Sequence, residues 1–152
     1  MKTLTTCAVG LGLAIVPAII WAGLAVGSAT ATAQASGCYA PQGAERKAVL
    51  DTLRGPVADI LKQPVQFVVR KIRVCWSGNP TWAFVDAKPQ QPGGRPINWK
   101  AAGFDDCSET NQALLRRTTA GQWTVIANDV CPTDVPWADW NRAHGAPNEL
   151  FK

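Results

Sequence analysis

Ala44-Glu-Arg-Lys-Ala-Val-Leu-Asp-Thr-Leu-Arg-Gly-Pro-Val-Ala-Asp-Ile-Leu61 and, three residues later, Val65-Gln-Phe-Val-Val-Arg-Lys-Ile-Arg-Val-Cys75 decide the fold class. In the first stretch Leu50, Leu53, Val57, Ile60 and Leu61 recur at steps of three and four, the spacing of one apolar helix face. Gly55-Pro56 interrupts it. Proline has no amide hydrogen and clashes with the carbonyl of Thr52, so the helix is expected to kink or restart there, and Pro64 to end it. In the second stretch Val65, Phe67 and Val69 alternate with Val68, Ile72 and Val74, which predicts a long strand with both faces partly apolar.

Downstream the pattern stays β. Ser77-Gly-Asn-Pro80 reads as a turn and Thr81–Lys88 as the return strand. Asn111–Arg117 and Gln122–Val130 form a second hairpin about Thr119-Ala-Gly121. Between them, Pro89–Glu109 is an irregular stretch of roughly 20 residues, a length that marks a functional or disordered loop. The tail Pro132–Gly145 carries a short helix, started near Asp134 and Pro136 and stopped by Gly145, with Leu150 and Phe151 as a closing anchor. The expected fold is therefore α+β, one long kinked helix packed on a four-stranded antiparallel sheet.

Residues Ala8–Gly27 are uncharged, follow a start carrying only Lys2, and lead into Ala31-Thr-Ala-Gln-Ala35. This reads as an export signal over residues 1–35 and a single domain over residues 36–152. The competing readings are a retained membrane anchor, because about 20 apolar residues span a bilayer, and a lipid on Cys38. Each places the folded part outside the cytosol, in the periplasm or secreted.

Removing Lys2 reduces the formal net charge from +4 to +3. Charges of both signs are interspersed, and the densest basic run, Arg70-Lys71-Ile72-Arg73, would point to both faces of a strand. No nucleic-acid partner is expected from such a surface. A membrane is a partner only if the apolar segment is retained.

Cys38, Cys75, Cys107 and Cys131 are an even set in an oxidising setting and predict two disulfides. Their wide spacing lacks the close pairs a zinc site needs, so no metal and no cofactor are expected. Turning the second hairpin about Ala120 brings residue 110 opposite Cys131, three residues from Cys107. A helix of roughly 28 Å answered by a strand of roughly 33–36 Å returns Cys75 to the helix start, beside Cys38. The expected bridges are Cys38–Cys75 and Cys107–Cys131.

Catalytic chemistry is thin. His144 is the only histidine, no nucleophile elbow or zinc-peptidase motif occurs, and Gly93-Gly94 lies between prolines rather than in a phosphate loop. Asp105, Asp106 and Glu109 read as a solvated loop rather than paired catalytic carboxylates. The tryptophans are more suggestive. Trp82 and Trp123 belong to strands, whereas Trp76 and Trp99 lie in predicted loops and Trp137 and Trp140 share a helix face. Aromatic groups beside cations suit sugar or protein surfaces. The candidate binding set is Arg95, Trp99, Lys100, Phe104, Trp137, Trp140 and His144.

Glu45-Arg-Lys-Ala-Val-Leu-Asp-Thr-Leu-Arg54, Trp82-Ala-Phe-Val85 through Pro92-Gly-Gly94, and Thr133-Asp-Val-Pro-Trp-Ala-Asp-Trp140 resemble a family of small exported bacterial proteins. The resemblance implies no activity and carries over no functional residue. The order of elements is also similar to cystatin-like and NTF2-like folds, which host inhibitors, binding modules and enzymes alike. The leading expectation is a non-catalytic binding protein, an inhibitor or immunity-type partner of an envelope or secreted enzyme. Its partner would be a protein or a cell-wall glycan, met by the loop Gln90–Asp106 and the Trp137–His144 tail. The alternatives are a structural envelope protein, or a small NTF2-like enzyme with a pocket lined by Trp82, Phe84 and Trp123.

Overall fold

A computed structural model describes residues 37–76 and 79–152. The expected export segment over residues 1–35 and the turn residues Ser77 and Gly78 lie outside the described residues. The elements are β1 (Gly37–Tyr39), α1 (Gly43–Leu61), β2 (Gln66–Trp76), β3 (Thr81–Gln90), β4 (Asn111–Arg117), β5 (Trp123–Val130) and a short α2 (Trp140–His144). Single 3-10 turns at Lys100–Ala102, Pro136–Asp139 and Asn148–Phe151 complete the chain. The five strands form one antiparallel sheet in chain order.

Two details depart from the expected arrangement of four strands and one long kinked helix. The extra strand is β1, only three residues long and too short to leave a periodic signal. The helix does not restart at Gly55-Pro56, for α1 runs unbroken from Gly43 to Leu61 with Pro56 inside it. Val49, Leu53, Val57 and Leu61, one every fourth residue, are fully buried on both sides of the proline. Burying such a side chain contributes about 1.5–3 kcal/mol, so the four together outweigh the roughly 3 kcal/mol that an internal proline costs. Ile60, expected in the stripe, is exposed, and Val49 takes its place.

The mixed pattern of β2 has a local cause. A bulge between Val69 and Lys71 inserts one residue into its pairing with β3, which flips the alternation. Phe67 and Val69 before it and Ile72 and Val74 after it therefore all pack on the helix side. The same bulge gathers the three cations that simple alternation would separate. Arg70 pairs with Asp86 at 2.8 Å, while Lys71 and Arg73 reach the carbonyls of Phe151 and Lys152 in the tail.

The sheet is covered on both faces. On one, α1 packs over Ile72, Val74, Ala83, Val85, Ala113, Leu115 and Trp123. On the other, the C-terminal tail lays Trp140, Ala146 and Leu150 over Cys75, Trp82, Phe84 and Leu114. Phe84 is ringed by Trp137, Trp140 and Phe151 at centroid distances of 6.3, 6.4 and 5.4 Å. The pocket imagined between Trp82, Phe84 and Trp123 does not form, because Trp123 faces the helix and the other two face the tail.

Both disulfides join the expected partners, Cys38 to Cys75 and Cys107 to Cys131. Cys38 and Cys75 are direct neighbours across the β1–β2 ladder, so this bridge is what holds the short edge strand. The second hairpin turns where expected: Gly121 takes a φ of 83°, and the Thr118 amide bonds the Gln122 carbonyl at 2.7 Å. Glycine is the residue that adopts this left-handed backbone without steric cost.

Candidate binding cleft

The sequence-derived candidates fall into two groups on opposite faces of the sheet. Trp99 and Phe104 meet edge to face at 6.0 Å and pack half-buried against the helix-side core. They hold the loop down, leaving Arg95 and Lys100 exposed on it. Gln63, just past α1, clamps the same loop: its amide nitrogen donates to the Asn98 carbonyl at 3.0 Å, and its amide oxygen accepts from the Asn98 backbone and the Gln91 side chain, each at 2.9 Å. A segment that reads as an irregular loop is therefore a fixed one.

Trp137, Trp140 and His144 belong to the tail. Trp140 is buried, Trp137 is half-buried and stacks on Phe151 at 5.9 Å, and His144 is half-buried at the end of α2. The two indoles serve the tail-side core rather than forming one aromatic face with Trp99. Asp105, Asp106 and Glu109 are exposed, and Glu109 pairs with Lys88 at 2.8 Å. Among the described residues no cluster of His, Cys, Asp and Glu is arranged to hold a metal ion.

A concave site lies elsewhere, at the edge where β1 and β2 meet the tail. It is a cleft of about 290 Å³ lined by Cys38, Cys75, Arg73, Trp76, Pro147 and Glu149. Each wall follows from the fold. The Cys38–Cys75 bridge fixes one side, and Arg73, two residues from Cys75, points to the same tail side of the sheet. Trp76 ends β2 half-buried, and the 3-10 turn Asn148–Phe151 brings up Glu149 from the tail. Arg73 gives one donor to the Lys152 carbonyl, and a guanidinium has five N–H donors. The Glu149 carboxyl is held below the usual carboxylate range by its own backbone amide and by Lys152. It is ionised and pairs with the Lys152 ammonium at 3.5 Å.

Other hollows are less suited to a ligand. One of about 310 Å³ is lined by Arg70, Ser108, Thr110, Gln112 and Asp134, but Arg70 is bidentate to Asp86 and the Ser108 and Thr110 hydroxyls bond each other at 2.8 Å. A broader groove of about 460 Å³ beside Ala48, Thr52 and Trp123 offers few polar side chains.

The cleft residues Arg73, Trp76, Pro147 and Glu149 are outside the candidate set drawn from the sequence, although Arg73 reads there as a cation and Trp76 as a loop tryptophan. The cysteine pairing alone brings Arg73 and Trp76 next to Cys38. Leu150 and Phe151 signal that the tail packs back, but not that it does so beside Arg73 at this edge.

The chain matches no protein family, no curated protein and no solved structure with which it was compared.

Proposed function

We propose that this is a non-catalytic binding protein of an oxidising compartment, periplasmic or secreted, and that the cleft over the Cys38–Cys75 bridge holds its ligand. The observation that carries the reading is the make-up of that cleft: a fixed disulfide side, the Arg73 cation tied to the tail, and an ionised Glu149 paired with Lys152. Such a set can orient and hold a small group. It supplies no activated nucleophile and no acid–base pair tuned for proton transfer. Two disulfides fit an oxidising setting, and among the described residues no helix is long and apolar enough to cross a membrane.

A second reading, an inhibitor-type contact with an envelope or secreted enzyme, draws support from the loop clamped by Gln63. It presents Arg95 and Lys100 on a backbone already ordered, and ordering before contact lowers the entropy cost of association. Titrating isotope-labelled protein with solubilised cell-envelope fragments separates the two. Shifts centred on Arg73, Cys75 and Trp76, with the fragments recovered intact by mass spectrometry, support the cleft. Shifts centred on Arg95 and Lys100 favour the inhibitor reading, and cleaved fragments overturn both.

A further inference from the structure

We propose that the end of the sheet where β1 begins is a docking surface for an anionic lipid bilayer; the inference stands apart from the reading of the cleft. Strand register defines this end. Gly37 pairs with Trp76, Trp76 with Thr81, Thr81 with Arg117, and Arg117 with Trp123, so these residues form one rim. The start of α1 lies there too. Glu45 in its first turn accepts from the Tyr39 phenol at 3.0 Å and faces Arg117 at 3.6 Å. The tail adds Glu149, which shares the cleft with Gly37.

Charge is the first argument. Arg46, Lys47, Arg73, Arg116, Arg117 and Lys152 gather at this end. The acids among them are matched: Glu45 by Arg117, Asp51 by Lys47, and Glu149 by Lys152. Among the described residues Arg46, Arg73 and Arg116 have no carboxylate partner. At the opposite end Lys62, Arg95 and Lys100 are offset by Asp59, Asp105 and Asp106, so no positive face builds up there. Each cation close to an anionic leaflet raises affinity about fivefold.

The aromatic groups suit the same partner. The Arg116 guanidinium lies over Trp82 at 5.7 Å and that of Arg117 over Trp123 at 5.8 Å. Stacking holds a guanidinium by its face and leaves its edge N–H groups for phosphate oxygens. Tyr39 is 46% exposed, and an amphipathic ring of this kind favours the headgroup level of a bilayer.

The route of the chain supplies the third argument. Residues 28–36 alone separate Gly37 from the uncharged run Ala8–Gly27, and a stretch of that length reaches at most about 32 Å. A retained apolar run therefore tethers this end of the sheet closer to a bilayer than the other.

The test places the full chain in two lipid nanodiscs, one of phosphatidylcholine alone and one with phosphatidylglycerol as about a third of the lipid, each doped with a gadolinium headgroup chelate. The expected result in the anionic nanodisc is broadening of the Tyr39, Thr81, Arg117 and Gln122 amides, with Lys100 and Asp106 spared. High salt should reverse it. Arg46→Gln and Arg116→Gln should each lower the docked-to-free ratio about fivefold, with the amide spectrum otherwise unchanged. Should either variant lose its fold, the lipid and salt comparisons decide. Equal broadening in both nanodiscs, unaltered by salt, would mean a tether without lipid recognition and overturn the proposal. So would broadening centred on Lys100 and Asp106, or no association with either nanodisc. Shifts of the Arg73 and Arg116 amides with inorganic phosphate, without lipid-dependent broadening, would assign the surface to a soluble anion and also overturn it.

Discussion

Leu150→Ala tests whether the C-terminal tail is a true second layer of the core. Leu150 is fully buried against the cluster of Cys75, Trp82, Phe84, Leu114 and Trp140. Truncation removes three carbons, worth about 0.8 kcal/mol each in transfer, or about 2.4 kcal/mol together. The cavity left under the tail adds to this, and partial collapse of the 3-10 turn limits the addition, which gives about 3 kcal/mol. For a mid-range denaturant slope of about 2 kcal/mol/M the urea midpoint falls by roughly 1.5 M. Unfolding followed by tryptophan fluorescence reads that shift, and acrylamide quenching in the folded baseline reads its location. Trp137 and Trp140 should gain access to the quencher, while Trp123, under the helix on the opposite face, should not. A loss below about 1 kcal/mol with unchanged quenching would refute a packed tail layer.

Other consequences can be checked separately. Gln63→Ala removes three hydrogen bonds that hold the loop Gln91–Asn98; trypsin cleavage after Lys100, which precedes Ala101, should accelerate markedly, with a stability loss of about 1–3 kcal/mol, and an unchanged cleavage rate would contradict the clamp. Replacing Cys38 and Cys75 with alanine opens a loop spanning 37 residues, which in the chain-entropy account costs about 4 kcal/mol; denaturation curves of the double variant should show this, and the amide exchange of β1 should rise towards that of free chain. Tyr39 is the single tyrosine, and its phenol is raised above the ordinary 10.0 by partial burial and then by its hydrogen bond to Glu45. Because the folded state holds the proton more tightly, the stability this adds is intact below pH about 10 and fades as pH rises through the raised midpoint. Ultraviolet titration should place the tyrosinate midpoint above 10 and Glu45→Gln should lower it; a wild-type midpoint at or below 10 counts against the contact.

Local signals carried the body of the fold and failed at its margins. The helix was legible because apolar spacing survives one proline, and the second hairpin because Gly121 lies where a left-handed turn is needed. Cysteine pairing followed from element lengths, since helix and strand both report distance along the chain. The β2 bulge was illegible: one inserted residue swaps faces without altering composition, so Arg70, Lys71 and Arg73 read as scattered although they all serve the tail side. The candidate site suffered from the same limit. Exposed aromatics and core aromatics have the same letters, and only the return of the tail across the sheet separates Trp140, which is buried, from Trp76, which lines a cleft.

Each strand pairs with the one before it along the chain, so assembly can advance in the direction in which the polypeptide emerges. The lid over Trp82, Phe84 and Leu114 is built from a segment that follows all five strands in the chain. Until that segment is free, a nascent chain leaves Trp82, Phe84 and Leu114 uncovered on that face, an intermediate prone to association. Deleting residues 141–152, which include the buried Ala146 and Leu150, would therefore trade a folded product for an aggregating one.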